Sequence, residues 1–195
     1  MKLVKEANRA LKKLRNSDLN LQFPPLGDPS SFEILAFSDA TYASLGDGAS
    51  QGAFIIFVQG PNGLIAPICW QSKKLHRVTK SPLASETLAV SEAADAGYLI
   101  ACMISEIFKL PKPGTIKCYT DNKSLYESVQ SATIPSDRRL RVDLSRIREM
   151  VDKQEVELLW INGKYQVADC LTKRGASSLL LFETLVNCRF NMKSN

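Results

Sequence analysis

The sequence predicts an α/β protein in which a mixed sheet carries helices on its faces. Three observations predict it. Runs of strand length and strand composition recur at 33–38, 53–58, 64–70, 115–120 and 155–160. The first three are joined by short turn-rich segments, which makes them consecutive antiparallel strands. Helical periodicity then separates the later runs, in the order β-β-β-α-β-α-α-β-α.

Each element has its own signal. Residues 3–15 place Leu3, Val4, Ala7, Ala10, Leu11 and Leu14 at three-to-four spacing with basic residues between them, an amphipathic helix. Asn16–Ser31 contains Pro24, Pro25, Gly27, Asp28 and Pro29 and reads as a linker or extended arm. The first strand, 33–38, ends on Asp39. The Gly-rich loop 45–50 leads to the second strand, and Gly60-Pro61-Asn62-Gly63 turns it into the third. Ser81-Pro82 is a helix start, with the serine as cap and proline at the first helical position. From there Val90, Ala93, Ala94, Gly97, Ala101, Ile104 and Phe108 mark one face, which includes Glu86 one turn earlier; Pro111 and Pro113 end the helix. The strand 115–120 ends on Asp121, and a helix over 122–131 follows. After Pro135 a helix runs to Lys153 with Leu140, Leu144, Ile147 and Val151 on one side. The strand 155–160 alternates Val156, Leu158 and Trp160 against Glu155, Glu157 and Leu159. An amphipathic piece over 166–173 carries Asp169, and 177–187 is a last helix.

With 195 residues, 45% of them hydrophobic and 23% charged, the chain has the composition of one globular domain with a short appendage. That composition excludes disorder, collagen-like repeats and coiled coils. The longest apolar runs, such as Leu179–Phe182, are too short to span a bilayer, and no signal-peptide stretch follows Met1. Five widely spaced cysteines (69, 102, 118, 170 and 188) with no C-x-x-C pair support neither a disulfide framework nor a zinc site. Reduced thiols in an intracellular protein are the expectation. The net charge of +5 is local: residues 1–15 set six basic side chains against Glu6 alone, and the remainder is balanced. The basic face of that segment is either a solvated surface or a phosphate contact.

Asp39 and Asp121 sit at carboxyl ends of strands, where sites form in open α/β sheets. Glu86 lies on the inward face of a buried helix and Asp169 near a helix start. Taken singly, Asp39 or Asp121 could begin a turn or cap a helix, and Asp169 could favour the positive end of its helix. Together, four carboxylates without obvious Arg or Lys partners would repel one another strongly. Hard divalent cations resolve such repulsion, Mg²⁺ being the usual one. Two basic clusters stand in the neutral body, Lys73, Lys74, Arg77 and Lys80, and Arg138, Arg139 and Arg141 followed by Arg146 and Arg148. Both are either solvated faces or contacts to backbone phosphates.

Five segments in order, Phe37-Ser38-Asp39-Ala40, Trp70-Gln71-Ser72-Lys73-Lys74, Ala84-Ser85-Glu86-Thr87-Leu88-Ala89, Tyr119-Thr120-Asp121-Asn122-Lys123-Ser124 and Val167-Ala168-Asp169-Cys170-Leu171-Thr172-Lys173, resemble the ribonuclease H domain of copia-like LTR retrotransposon polyproteins. Residues 4–21 resemble the tail that joins reverse transcriptase to that domain. The resemblance implies a ribonuclease H-like fold over 32–175, with a five-stranded mixed sheet whose first three strands are antiparallel. A basic helix and Pro-rich linker (1–31) would precede it, and a C-terminal helix and tail (176–195) would follow. It further implies that Asp39, Glu86, Asp121 and Asp169 hold two Mg²⁺ ions, replaceable by Mn²⁺, that serve hydrolysis of the RNA strand of an RNA–DNA hybrid. Asp39 would bridge both ions, Glu86 and Asp121 would hold one, and Asp169 would complete the other. The two basic clusters, with Ser85 and Asn122 beside the acids, would contact the hybrid. A reverse transcriptase domain in the same polyprotein would be the partner, in the cytoplasm or in virus-like particles. The sequence departs from cellular relatives in having no histidine in 162–166, and its only histidine, His76, lies in a basic surface loop. Two other readings compete: an inactive hybrid- or protein-binding module of the same fold, and an integrase-type nuclease. The second is disfavoured because its last acid is a glutamate on a late helix.

Overall fold

Glu33–Thr41 (β1), Gln51–Gln59 (β2), Ile65–Lys74 (β3), Ile116–Thr120 (β4) and Val156–Trp160 (β5) pair into one sheet in the order β3-β2-β1-β4-β5. This computed structural model describes residues 2–16, 20–131, 135–173 and 175–190. The pairs β1–β2 and β2–β3 are antiparallel, while β1–β4 and β4–β5 are parallel, so the expected mixed sheet is present. A bulge interrupts β2–β3 between Ile56 and Phe57, opposite Pro67. Proline has no N–H to give a ladder, and β3 is an edge strand where that is tolerated. β1 runs two residues past Asp39, beyond the expected end, because Ala40 and Thr41 still pair with Gly52 and Gln51.

The helices are α1 (Lys2–Arg15), α2 (Pro82–Ile107), α3 (Lys123–Gln130), α4 (Arg138–Asp152), α5 (Asp169–Thr172) and α6 (Leu179–Asn187). One face of the sheet packs Ile34, Ala36, Phe54, Ile56, Ile116 and Cys118 against α2, α3 and α4. The other packs Leu35, Phe37, Ile55 and Phe57 against Val167, Ala168, Leu181 and Leu185, with the Phe190 ring 4.8 Å from that of Phe37. With both faces covered, β1 and β2 are buried at every interior position.

Ser81 caps α2 by accepting from the Ala84 N–H (3.2 Å), as the sequence predicts. Its buried stripe of Ala89, Val90, Ala93, Ala94, Gly97 and Ala101 is made of small residues, so the helix lies close on the sheet. A Cβ on Gly97 would stand 3.0 Å from Ile116 Cγ2, which gives that glycine its purpose. The stripe stops before Phe108, which is exposed and meets Phe32 edge-on. A 26-residue helix is about 39 Å long, longer than the roughly 30 Å of nine-residue β1, so its end outruns the sheet. By length and composition alone α2 would suit a membrane crossing, although the sequence shows no uninterrupted apolar run of that size. Its apolar character is spread over alanines broken by Glu86, Glu92 and Asp95, and its stripe serves the core.

Other differences are local. In α4 the inward position of the last turn is Met150, fully buried, rather than half-buried Val151. In β5 Val156 and Leu158 are buried, but Trp160 is exposed at the strand end. Of the piece expected over 166–173 only the one-turn α5 is helical, and a single 3₁₀ turn, Gly163–Tyr165, precedes it. Every described side chain of α1 is exposed, Val4 and Leu11 included. Leu3, Ala10 and Leu14, also expected on its apolar stripe, lie outside the described side chains. Part of the expected linker (17–19) and the tail (191–195) lie outside the described residues. Further along the linker, the Pro25 carbonyl accepts from Asn62 Nδ2 (3.1 Å). All five cysteines are free thiols.

Leu144, fully buried under α4, anchors this helix to the sheet. Leu144→Ala is expected to lower stability by about 2–5 kcal/mol in urea titration. A loss below about 1 kcal/mol would show that α4 is not part of the cooperative core.

Candidate active site

Strand order reverses direction of growth between β1 and β4, and the crevice at their carboxyl ends is the expected location for a site. Phe37 pairs with Tyr119, so two residues further on Asp39 comes level with Asp121. Glu86, in the second turn of α2, points into the same crevice. Carboxylate oxygens of Asp39, Glu86 and Asp121 lie within 4.8 Å of one another. Three of the four acids expected from the sequence thus converge directly.

Local structure positions each of them. Asp39 is held in mid-ladder opposite Ala53 and is only 1% exposed. The Asp121 carbonyl accepts from Trp160 Nε1 (3.0 Å), which ties the end of β4 to that of β5. Asn122 caps α3 through its Oδ1 on the Leu125 N–H (2.9 Å). Gly163 passes so close that a Cβ there would lie 3.2 Å from Asp121 Oδ2. Ahead of Glu86, the hydroxyls of Ser50, Thr79 and Ser85 form a closed network with spacings of 2.8–3.2 Å. Ser85 is fully buried in it, so it braces the start of α2 and does not face a ligand.

Asp169 opens α5 and joins the trio through a cation. Lys173 Nζ donates to Asp169 Oδ1 (2.7 Å) and stands 3.5 Å from Asp39 Oδ1. Thr172 Oγ1 donates to Asp39 Oδ2. The expectation that the acids have no Lys or Arg partner is therefore corrected. The i, i+4 spacing of Asp169 and Lys173 on a helix was the available signal. Two further contacts were not legible in the sequence. Buried Gln166 donates to the Ser38 carbonyl (3.0 Å) and accepts from the Ala168 N–H (3.3 Å), which is why no helix spans it. Gln51 and Ser72 both donate to the Leu171 carbonyl (3.1 and 2.6 Å), pinning α5 to β2 and β3.

Crowding and burial shape the electrostatics. Burial pushes the Glu86 carboxyl up to about 9, helped by the charges of Asp39 and Asp121 and opposed by the Ala40 N–H. Burial also raises Asp39, against the pull of Thr172 and Lys173, and raises Asp121, with Asp169 adding to the effect. For Lys173, burial works downward, but the hydrogen bond to Asp169 and the charge of Asp39 outweigh it, and its pKa is raised. The Glu86 Oε2 atom is buried without a hydrogen-bond partner among the described residues. An orphaned carboxylate oxygen facing two more carboxylates is a donor set that fits a hard divalent cation.

Of the basic residues expected to grip a polyanion, the first cluster is largely neutralised. Lys73 pairs with Glu92 (3.2 Å), Lys74 with Asp47, Arg77 with Asp143 and Lys80 with Asp137 (3.8 Å). Arg138, Arg139 and Arg141, at the start of α4, are exposed and form no ion pair with the described residues. Arg146 pairs with Asp95 and Glu149, and Arg148 donates to the Ser128 and Ser131 carbonyls. His76 is exposed in its loop, as expected.

No protein-family model matches this chain, and no curated protein sequence does. Its backbone does match solved structures. The N-terminal RNase H domain of rv2228c from Mycobacterium tuberculosis superposes with a TM-score of 0.51 at 12% identity, covering 73% of this chain and 91% of that one. LC11-RNase H1, isolated from compost and solved with an RNA/DNA hybrid, gives 0.52 at 11%, covering 72% and 94%. The foamy viral protease-reverse transcriptase in complex with RNA/DNA hybrid gives 0.54 at 11%, covering 82% of this chain and 22% of the viral one. These neighbours establish the ribonuclease H fold, a five-stranded mixed sheet with flanking helices.

The raised Glu86 pKa has a defined consequence for stability. The folded protein holds a proton that the unfolded chain releases near the ordinary value of 4.5, so this contribution is complete below that pH and is lost as pH rises towards about 9. Asp39 and Asp121 act in the same direction. In chelator, the melting temperature is expected to fall across this window for wild type and to fall less for Glu86→Gln. A Glu86→Gln profile parallel to wild type would contradict the burial of that charge.

Proposed function

We propose that this protein is a divalent-metal-dependent ribonuclease H that hydrolyses the RNA strand of RNA–DNA hybrids. The convergence of Asp39, Glu86 and Asp121 at the carboxyl ends of β1 and β4, with Asp169 tethered beside them, carries this reading. Buried like charges of this density are costly unless a cation compensates them. Asp39, Glu86 and Asp121 would hold one ion, and Asp39 and Asp169 a second. Bound divalent ions supply Lewis acidity and a water activated for attack on a phosphodiester. The protein's own residues position that chemistry: β1 and α2 keep Asp39 and Glu86 rigid, and Trp160 and the Asn122 cap hold Asp121 at the strand end. Such a reaction needs no protein nucleophile.

The LC11-RNase H1 and foamy viral neighbours were solved with an RNA/DNA hybrid, which supports the same substrate class here. Discrimination of hybrid from duplex DNA would rest on the 2′-hydroxyls. Arg138, Arg139 and Arg141, exposed and without an ion pair to the described residues, are available for backbone phosphates. Asn122, its Oδ1 engaged as a cap, keeps its amide nitrogen for the strand beside Asp121. The resemblance of the five motifs supports a home in a copia-like retroelement polyprotein, downstream of a reverse transcriptase. On that reading the site of action is the cytoplasm or a virus-like particle. The preference among hard cations is for Mg²⁺, with Mn²⁺ as substitute.

Incubation with a labelled RNA–DNA hybrid and Mg²⁺ or Mn²⁺ tests the proposal. Wild type is expected to cut only the RNA strand, and Asp121→Asn to lose about 10²-fold or more of that rate. No cleavage by wild type, or equal cleavage by the variant, refutes it. Replacing Arg138, Arg139 and Arg141 together by alanine is expected to weaken hybrid binding and to reduce the slope of log affinity against log salt by about 2–3. An unchanged slope would show that the hybrid does not cross α4.

A further inference from the structure

Lys173 holds an unusual position, and its role is not contained in the four-carboxylate arrangement. Its side chain is 40% exposed, yet its ammonium lies 2.7 Å from Asp169 Oδ1 and 3.5 Å from Asp39 Oδ1. Those two acids are the pair that would share the second ion. One turn of helix brings all the parts together: Asp169 and Lys173 at i and i+4, and Thr172 bonded to the remaining Asp39 oxygen. The turn itself is fixed, because Gln51 and Ser72 hold its Leu171 carbonyl. The lysine stem is the free part. It is long, half-exposed and without a second anchor, so the ammonium can leave while the backbone stays.

Resting on the nuclease reading above, we propose that Lys173 is a built-in counterion that competes with the second divalent cation for Asp39 and Asp169. The argument is one of charge and space. A monovalent ammonium within hydrogen-bond reach of both carboxylates satisfies the same oxygens that an ion bridging Asp39 and Asp169 needs. Two positive groups cannot share so small a volume without strong repulsion. Glu86 and Asp121 form no ion pair with Lys173 and feel only its longer-range charge, and of the trio Asp39 alone is touched by it, so the first ion meets the weaker competition. The two positions are thus filled unequally: the trio of Asp39, Glu86 and Asp121 loads readily, and the second position loads only as Lys173 swings outward. Its exposed flank gives it somewhere to go. The released ammonium then stands at the mouth of the crevice, where a phosphodiester of the substrate arrives. Substrate and second ion would therefore cooperate, since the phosphate offers Lys173 an alternative partner.

Calorimetric titration of the purified chain with Mn²⁺, on wild type, Lys173→Met and Lys173→Arg, provides the test. Wild type is expected to bind two ions with distinct affinities. Lys173→Met, which keeps the length of the stem and removes the charge, should tighten the weaker step by roughly tenfold or more and the stronger step by clearly less. Lys173→Arg, which keeps the charge, should resemble wild type. Wild-type protein alone gives a second reading: the rate of Lys173 acylation, followed by peptide mass spectrometry, should rise severalfold on saturation with Mn²⁺ while that of exposed Lys109 stays constant. Two ions bound with equal affinities in wild type and Lys173→Met, or acylation insensitive to Mn²⁺, overturns the role of Lys173 and leaves the nuclease reading intact. Failure of every form to bind a second ion overturns both.

Discussion

Three carboxylates from three different elements are forced into a volume a few ångströms across, beneath the surface. Their mutual repulsion and the cost of burying them oppose folding, and the rest of the architecture is arranged to overcome both. Asp39 cannot retreat because the β1–β2 ladder continues beyond it. Glu86 cannot retreat because α2 is pressed onto the sheet by a stripe of alanines and Gly97, and because the serine–threonine network braces its first turn. Asp121 is fastened at the strand end by Trp160. The domain therefore stores a strong local field that a small, hard cation can relieve.

The short helix α5 softens that field from the side. It brings Thr172 and Lys173 onto Asp39 and keeps Asp169 one step away from the trio. A site made only of acids would be uniform in its demand for positive charge. The lysine makes it asymmetric, with one half open to a cation and the other half already partnered. Such asymmetry is inexpensive in structure: four residues of helix, anchored by two hydrogen bonds to a single carbonyl. The loop before α5 contributes in a related way. Gly163 leaves space against Asp121, and buried Gln166 clips the chain to β1 immediately before Asp39.

Surface charge follows a different logic. Lys73, Lys74, Arg77 and Lys80 look in sequence like a basic grip, but the fold gives each an acidic neighbour from a distant segment. The three arginines that open α4 keep their charge for solvent or ligand. The excess of the whole chain remains in α1, whose described side chains are all exposed and bury nothing against the sheet. The folded body thus presents a limited, localised set of unpaired cations.

Most strand and helix positions, the Ser81 cap and the convergence of Asp39, Glu86 and Asp121 were readable from the chain alone. Periodicity, turn chemistry and strand-end acids are local properties, visible wherever neighbouring residues decide the outcome. The motif order around Asp39, Glu86, Asp121 and Asp169 added a resemblance whose fold the solved neighbours bear out. Folding in three dimensions decided the rest. It set β1 beyond Asp39, because pairing with β2 continues. It chose Met150 over Val151, because the groove under α4 lies on that side. It left Trp160 outside, as a donor to Asp121. Above all it placed Lys173 between Asp39 and Asp169. Residues 39 and 173 lie at opposite ends of the domain, and no local rule speaks to a contact closed by the crossing of five strands.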